Sequence, residues 1–154
     1  KGSVFFFTQT FPVSQAFNFA QEDQVVEIEK GRPLSGVSIL MAEDNELNVL
    51  VAKTFLEKWG AQIDVAINGE EAVRKLDTAK HKLVLMDMHM PVMDGYEAIA
   101  IIRNKGVQIP IVALTASLPS EVEERAKDLS INAIITKPFE PEEFLKLLIK
   151  ILSK

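Results

Sequence analysis

From residue 37 onward the chain alternates short, mainly apolar runs with longer stretches of mixed polarity. The runs occupy residues 37–41, 63–67, 83–86, 109–114 and 133–136. Apolarity that continues from one residue to the next, rather than skipping every other one, suits strands covered on both faces. The intervening stretches read as helices. Leu47, Leu50, Val51 and Phe55 recur at i, i+3, i+4 and i+8, and Gly60 ends that helix after Trp59. Residues 69–76, 96–103 and 121–129 predict three more, the third entered through Pro119 and Ser120. A fifth begins at Pro141, a residue that a first helical turn tolerates, with Glu142 and Glu143 at its positive end. Leu145, Leu148, Ile149 and Leu152 form one face of it, with Lys146, Lys150 and Lys154 toward solvent.

Strands alternating with helices in this way predict an α/β fold. It is a doubly wound, flavodoxin-like (βα)5 unit with right-handed crossovers and a parallel five-stranded sheet of order 2-1-3-4-5. In that order the first, third, fourth and fifth strands are contiguous, and groups at their carboxyl ends meet in one crevice. Glu43 and Asp44 follow the first run, Asp87 closes the third, Thr115 follows the fourth and Lys137 comes just after the fifth. Residues distant in sequence are thus expected to be neighbours in space.

The first 33 residues stand outside this pattern. Val4, Phe5, Phe6 and Phe7 have high strand propensity, whereas residues 14–33 are polar and acidic with no sustained period. The expected division is a strand from another domain over residues 1–14, a linker over 15–34 and the α/β domain over 35–154. An apolar fragment of that kind is an edge in search of a partner, so contact between copies through this tail is a further expectation.

Composition narrows the function. The net charge is −5, from 17 basic and 22 acidic residues, and no Lys/Arg cluster is long enough to track a phosphate backbone. Direct nucleic-acid binding is not expected. The absence of cysteine excludes disulfides and thiol chemistry and fits a reducing, cytoplasmic setting. No apolar run approaches the roughly 18 residues of a membrane span, so no membrane segment is expected in this sequence.

Gathered in one crevice, Glu43, Asp44 and Asp87 would repel one another by about 4 kcal/mol per pair at ~4 Å and an effective dielectric near 20. A hard divalent cation offsets this, and Mg²⁺ is the natural occupant of an all-oxygen site. Taken singly the same residues have plainer readings. Glu43 and Asp44 suit a helix start, where Asn45 would serve equally well as the cap, Thr115 suits a helix cap, and a lone lysine is ordinarily solvated. Together they describe phosphoryl chemistry: an ionised aspartate attacks phosphorus in line, a metal and an ammonium draw charge from the equatorial oxygens, and a hydroxyl and backbone N–H groups hold the rest. Ala116 leaves room for the ligand.

At this point the residues resemble a known family. Met41-Ala42-Glu43-Asp44-Asn45, residues 85–95 (Leu-Met-Asp-Met-His-Met-Pro-Val-Met-Asp-Gly), Ala113-Leu114-Thr115-Ala116 and Thr136-Lys137-Pro138-Phe139 look like the boxes of two-component receiver domains, in the right order and spacing over residues 35–153. The resemblance implies Asp87 as phosphoacceptor, with Glu43, Asp44, Asp87 and the backbone carbonyl of His89 as the Mg²⁺ site. It implies Thr115 and Lys137 as phosphoryl-binding switch groups, with Ala116 beside them. His89 and Ser117 are candidates for tuning hydrolysis. The implied partners are the phosphohistidine domain of a histidine kinase and a histidine phosphotransfer protein.

Residues 1–8 are similar to the last strand of a histidine-kinase ATP-binding domain, so the whole resembles part of a hybrid sensor histidine kinase. Without the phosphodonor histidine region it is expected to catalyse only its own phosphorylation and dephosphorylation. One residue departs from the pattern. Receivers usually carry an aromatic residue or histidine three positions before the lysine, where this chain has Ile134. His81, in a polar turn, is expected to be solvated. Of the alternatives, a haloacid-dehalogenase-like phosphatase needs a second aspartate where His89 stands, and a flavodoxin-like flavin binder needs a phosphate cradle where Glu43 and Asp44 stand. A receiver-shaped interaction module without phosphorylation is disfavoured because every reactive group is present.

Overall fold

A computed structural model of the chain describes residues 31–117, 119–126 and 128–153. The readings on residues 4–7 and on most of 14–33 lie outside the described residues. Within them the order is β1 (Ser38–Ala42), α1 (Glu46–Lys58), β2 (Gln62–Ala66), α2 (Gly69–Lys75), β3 (Leu83–Asp87), α3 (Gly95–Asn104), β4 (Ile111–Thr115), α4 (Pro119–Ala126), β5 (Ala133–Thr136) and α5 (Pro141–Leu152). All pairings are parallel, and the sheet runs β2-β1-β3-β4-β5. The doubly wound order read from the sequence is the order found.

The unbroken apolarity of the central strands has its cause in two cores. Every residue of β1, β3 and β4 is buried. Successive side chains point to opposite faces. Leu40, Val84, Met86, Ile111 and Ala113 pack on one face with Ile99 and Ile102 of α3. Ile39, Met41, Leu83, Leu85, Val112 and Leu114 pack on the other with Leu56 of α1 and Phe144 and Leu148 of α5. Each fully buried Leu or Ile contributes about 1.5–3 kcal/mol, so the central strands are the most firmly held part of the sheet. Their carboxyl ends carry Glu43, Asp87 and Thr115, which is why a polar site can stand on rigid ground.

Two helix faces differ from expectation. In α1 the stripe Leu47, Leu50 and Val51 is 66%, 62% and 45% exposed, while Ala52 and Leu56 are buried with Val49 and Trp59 packed beside them. Positions 49, 52, 56 and 59 have the same helical spacing, so the sequence offers two apolar faces and the sheet covers only one. In α5 the buried set is Phe144, Leu145, Leu148 and Ile151, one position round from the expected face. Phe144 governs this rotation by packing its ring 4.4 Å from that of Phe139 and edge-on to Trp59 at 6.2 Å. Leu34 also belongs to the packed domain, being 1% exposed, with its N–H donating to the Trp59 carbonyl at 2.8 Å.

His81 is buried, at 1% exposure, not solvated. Its Nδ1 accepts from the Asp77 N–H at 3.0 Å, so its Nε2, 2.9 Å from Asp64 Oδ2, carries the proton. Lys80 also pairs with Asp64. Hydrogen bonds from Lys80 and His81 hold the Asp64 carboxyl below the usual carboxylate range. A depressed folded-state pKa stabilises above the unfolded value and is lost as pH falls through the folded one. Asp64→Asn is therefore expected to destabilise the fold at neutral pH, with the difference from the unsubstituted protein closing as pH drops below the ordinary aspartate range. Urea midpoints measured against pH check this, and a gap that stays constant into acid would count against it.

Candidate functional site

The site forms where β1, β3 and β5 end. Asp87 is the last residue of β3 and only 4% exposed. Its Oδ1 accepts the His89 N–H at 3.0 Å and its Oδ2 lies 2.7 Å from the Lys137 ammonium. Glu43, just past β1 and 1% exposed, offers Oε2 to the same ammonium at 2.9 Å. Asp44 is exposed beside it, and carboxylate oxygens of Glu43, Asp44 and Asp87 all lie within 4.8 Å of one another. A lysine 50 residues from one carboxylate and 94 from the other thus closes the cluster, as the strand order demanded.

The charges do not balance. Three carboxylates face one ammonium, leaving two negative charges without a partner in the cluster. Burial works against the Lys137 ammonium, but its hydrogen bonds to Asp87 and Glu43 and their Coulomb attraction outweigh burial and hold its pKa above the ordinary lysine value. Lys137 therefore stays charged throughout the neutral range, and its contribution to stability fades only as pH rises through that raised pKa.

A polar cavity of about 390 Å³ opens on these groups, lined by Glu43, Asp44, Asn45, Asn48, Asp87, His89, Ala116, Ser117 and Lys137. Ala116 is exposed and Ser117 half-buried, so the β4–α4 turn leaves space over Asp87. Thr115 is fully buried and does not line the cavity. Its hydroxyl accepts the Ser117 N–H at 3.0 Å and its carbonyl accepts the Lys137 N–H at 2.7 Å. It thus fixes the turn and the start of the β5–α5 connection. The His89 ring is exposed and stands edge-on to Tyr96 at 6.5 Å, and the guanidinium of Arg125 covers the Tyr96 ring at 3.8 Å. Ile134 is half-buried against the core facing α3.

Local backbone chemistry aims these groups. Asn45 is the N-cap of α1, its side chain accepting the N–H groups of Leu47 and Asn48. The β3–α3 loop passes through Val92 at φ 70°, a left-handed conformation that a β-branched residue adopts at a cost, and such strain collects at functional sites. Asn48 was not singled out by the sequence. Its side-chain nitrogen donates to Glu43 Oε1 at 2.9 Å, and the only signal for it was its place one turn into the helix that follows the acidic pair.

Over residues 39–149 the sequence matches the family described as the response regulator receiver domain. The chain belongs to that family. It is 38% identical over 112 residues to the peroxide stress-activated histidine kinase mak1 of Schizosaccharomyces pombe, a match covering 68% of this chain and 7% of the kinase. It is 45% identical over 92 residues to the two-component response regulator ORR41 of Oryza sativa subsp. japonica, covering 56% of this chain and 72% of that protein. Among solved structures, it is similar to the receiver domain of sensor histidine kinase PA1611 from Pseudomonas aeruginosa, described with a magnesium ion coordinated in the active site cleft. The TM-score is 0.71 and the identity 32%, covering 78% of this chain and all of that one. The chain spans less than a fifth of the length of several curated histidine kinases it matches. Residues 39–149 are thus a receiver domain of the two-component phosphorelay type. No helix among the described residues is long and apolar enough to cross a membrane.

Proposed function

We propose that Asp87 is the phosphoacceptor of this receiver domain, taking a phosphoryl group from a phosphohistidine and passing it to a histidine phosphotransfer protein. The observation that carries the proposal is the Lys137 ammonium held between Asp87 and Glu43 at 2.7 and 2.9 Å, with Asp44 completing a carboxylate cluster. An Asp87 carboxylate oxygen forms the bond to phosphorus while the bond from phosphorus to the histidine nitrogen breaks, and the released imidazole takes a proton from solvent. Lys137 is placed to draw charge from an equatorial oxygen, and Ala116 and Ser117 of the β4–α4 turn line the space open to the incoming group.

The donor set fits Mg²⁺. It consists of oxygen alone, carries surplus negative charge and opens on a cavity of about 390 Å³, large enough to admit a hydrated cation. Glu43, Asp44, Asp87 and the backbone carbonyl of His89 would hold the ion, which when bound would neutralise charge on the transferring phosphoryl. Thr115, Ala116 and Lys137 are proposed as the phosphoryl-binding switch groups, with Thr115 also setting the Ser117 turn, and His89 and Ser117 as groups that tune hydrolysis from the cavity wall. Beside the site an apolar groove is lined by Leu47, Val51, Ala52, Leu114 and Phe139, continuous with the exposed stripe on α1. A helical phosphotransfer partner reaching Asp87 would cover that stripe.

The longer reading follows the same lines. Residues 1–14 are proposed as the end of a kinase ATP-binding domain, 15–34 as a linker and 35–154 as the receiver of a hybrid sensor histidine kinase in the cytoplasm, with tail-mediated contact between copies. The direct test is chemical. Incubation with acetyl phosphate and Mg²⁺ is expected to add one acid-labile phosphoryl group by intact-mass measurement, and chelation of the metal to slow labelling at least tenfold. Labelling at an undiminished rate in chelator would remove Mg²⁺ from the proposal.

A further inference from the structure

Resting on this metal-dependent reading of the site, we infer that Asn48 is a positioning residue for the cation, acting through Glu43. Asn48 is the third residue of α1, the position from which a glutamate ordinarily reaches back to the N-cap N–H. Here that N–H, on Asn45, leans instead toward Glu43 Oε1 at 3.4 Å, and Asn48 Nδ2 donates to the same oxygen at 2.9 Å. The capping duty has moved from the helix to the buried acid, and the helix has supplied an amide to hold that acid. A glutamate at position 48 would be the better helix former, but it would bring a fourth carboxylate to a cavity that already has two negative charges in surplus. Asparagine is neutral, donates through its nitrogen to an acceptor-only carboxylate, and keeps its carbonyl as an acceptor.

The consequence is orientation. Both oxygens of Glu43 are fixed, Oε2 by Lys137 and Oε1 by Asn48, in a residue 1% exposed. Without the amide, Oε1 retains only the long contact to Asn45, and the carboxylate is free to turn both oxygens onto the ammonium and away from an incoming ion. Groups that orient metal ligands in this way typically govern affinity by 10–100-fold. Asn48 also lines the apolar groove beside the polar cavity, so it belongs to the wall between them.

The test is Mg²⁺ binding to the whole chain by isothermal titration calorimetry, for the unsubstituted protein, Asn48→Ala, Glu43→Ala and the double variant. Asn48→Ala is expected to raise the Mg²⁺ dissociation constant about 10–100-fold. Its urea midpoint should fall only modestly, because the hydrogen bond lost at the buried Glu43 carboxylate is partly offset by the higher helix propensity of alanine. The double variant is expected to bind no more weakly than Glu43→Ala alone if Asn48 acts through Glu43 and not on the ion directly from the cavity wall. Equal affinity in Asn48→Ala, or losses that add in the double variant, would overturn the inference while leaving the metal site standing. Failure of the unsubstituted protein to bind Mg²⁺ would instead overturn the reading of the site beneath it.

Discussion

Asp87→Asn is expected to abolish phosphorylation by acetyl phosphate while leaving the domain folded. The amide has no anionic oxygen to attack phosphorus, and no other carboxylate of the cluster occupies the same place: Glu43 is 1% exposed with both oxygens engaged, and Asp44 is exposed at the rim. The fold should survive because the charge terms nearly cancel. Asp87 is attracted by Lys137 at 2.7 Å, about 6 kcal/mol at an effective dielectric near 20. It is repelled by two carboxylates within 4.8 Å, each by at least about 3 kcal/mol on the same basis. Removing its charge forfeits both, and Lys137 keeps Glu43. The unfolding free energy should therefore shift by no more than about 1 kcal/mol, well inside the 5–15 kcal/mol of a typical domain. Intact mass and urea unfolding on the same preparation decide the matter. Unchanged labelling would move the phosphoacceptor elsewhere, and an unfolded variant would show that the cluster holds the fold together more than it balances charge.

The parts legible in sequence were those set by periodicity and topology. Unbroken runs at residues 83–86 and 109–114 could only be strands covered twice, and parallel strands joined by helices leave few arrangements. From the order alone, Glu43, Asp87 and Lys137 had to converge, and they do. What sequence did not disclose was which of two equivalent choices the packing would make. Helix α1 carries two apolar faces of the same spacing, and only the position of the sheet decides that Ala52 and Leu56 go in while Leu47 and Leu50 stay out. His81 stands between two lysines, which suggests solvent. Its burial depends on Asp64, 17 residues away on the edge strand, and no local pattern reports that pairing. The Thr115 hydroxyl turns to the Ser117 N–H, a partner that its place at the end of β4 did not name. In each case a side chain's direction, not its location, was hidden, because direction is fixed by neighbours contributed from elsewhere in the chain.

Gly95→Ala is expected to damage fold and site together, and the reason is contact, not conformation. Gly95 opens α3 behind the N-cap Asp94, whose capping box with Glu97 anchors the helix start, and its N–H donates to the Met88 carbonyl at 3.3 Å. A Cβ added there would stand 2.3 Å from the Asp87 carbonyl oxygen and 2.8 Å from the Met88 Cα. Both are backbone atoms at the end of a fully buried strand, so no flexible side chain can swing aside. Alanine gains up to about 1 kcal/mol in helix propensity over glycine, but overpacking of this kind costs about 1–3 kcal/mol and more where the backbone is the obstacle. The contact wins, with an expected net loss of about 2–3 kcal/mol in urea unfolding. The strain falls on the peptide that carries the phosphoacceptor, so relief by shifting α3 must also turn Asp87 and loosen its hold on Lys137 and on the His89 N–H. Labelling by acetyl phosphate should accordingly slow at least tenfold even at temperatures where the variant is fully folded. A variant that lost stability yet labelled at the original rate would show that the helix moves alone; one that lost neither would mean that α3 does not approach the strand end this closely.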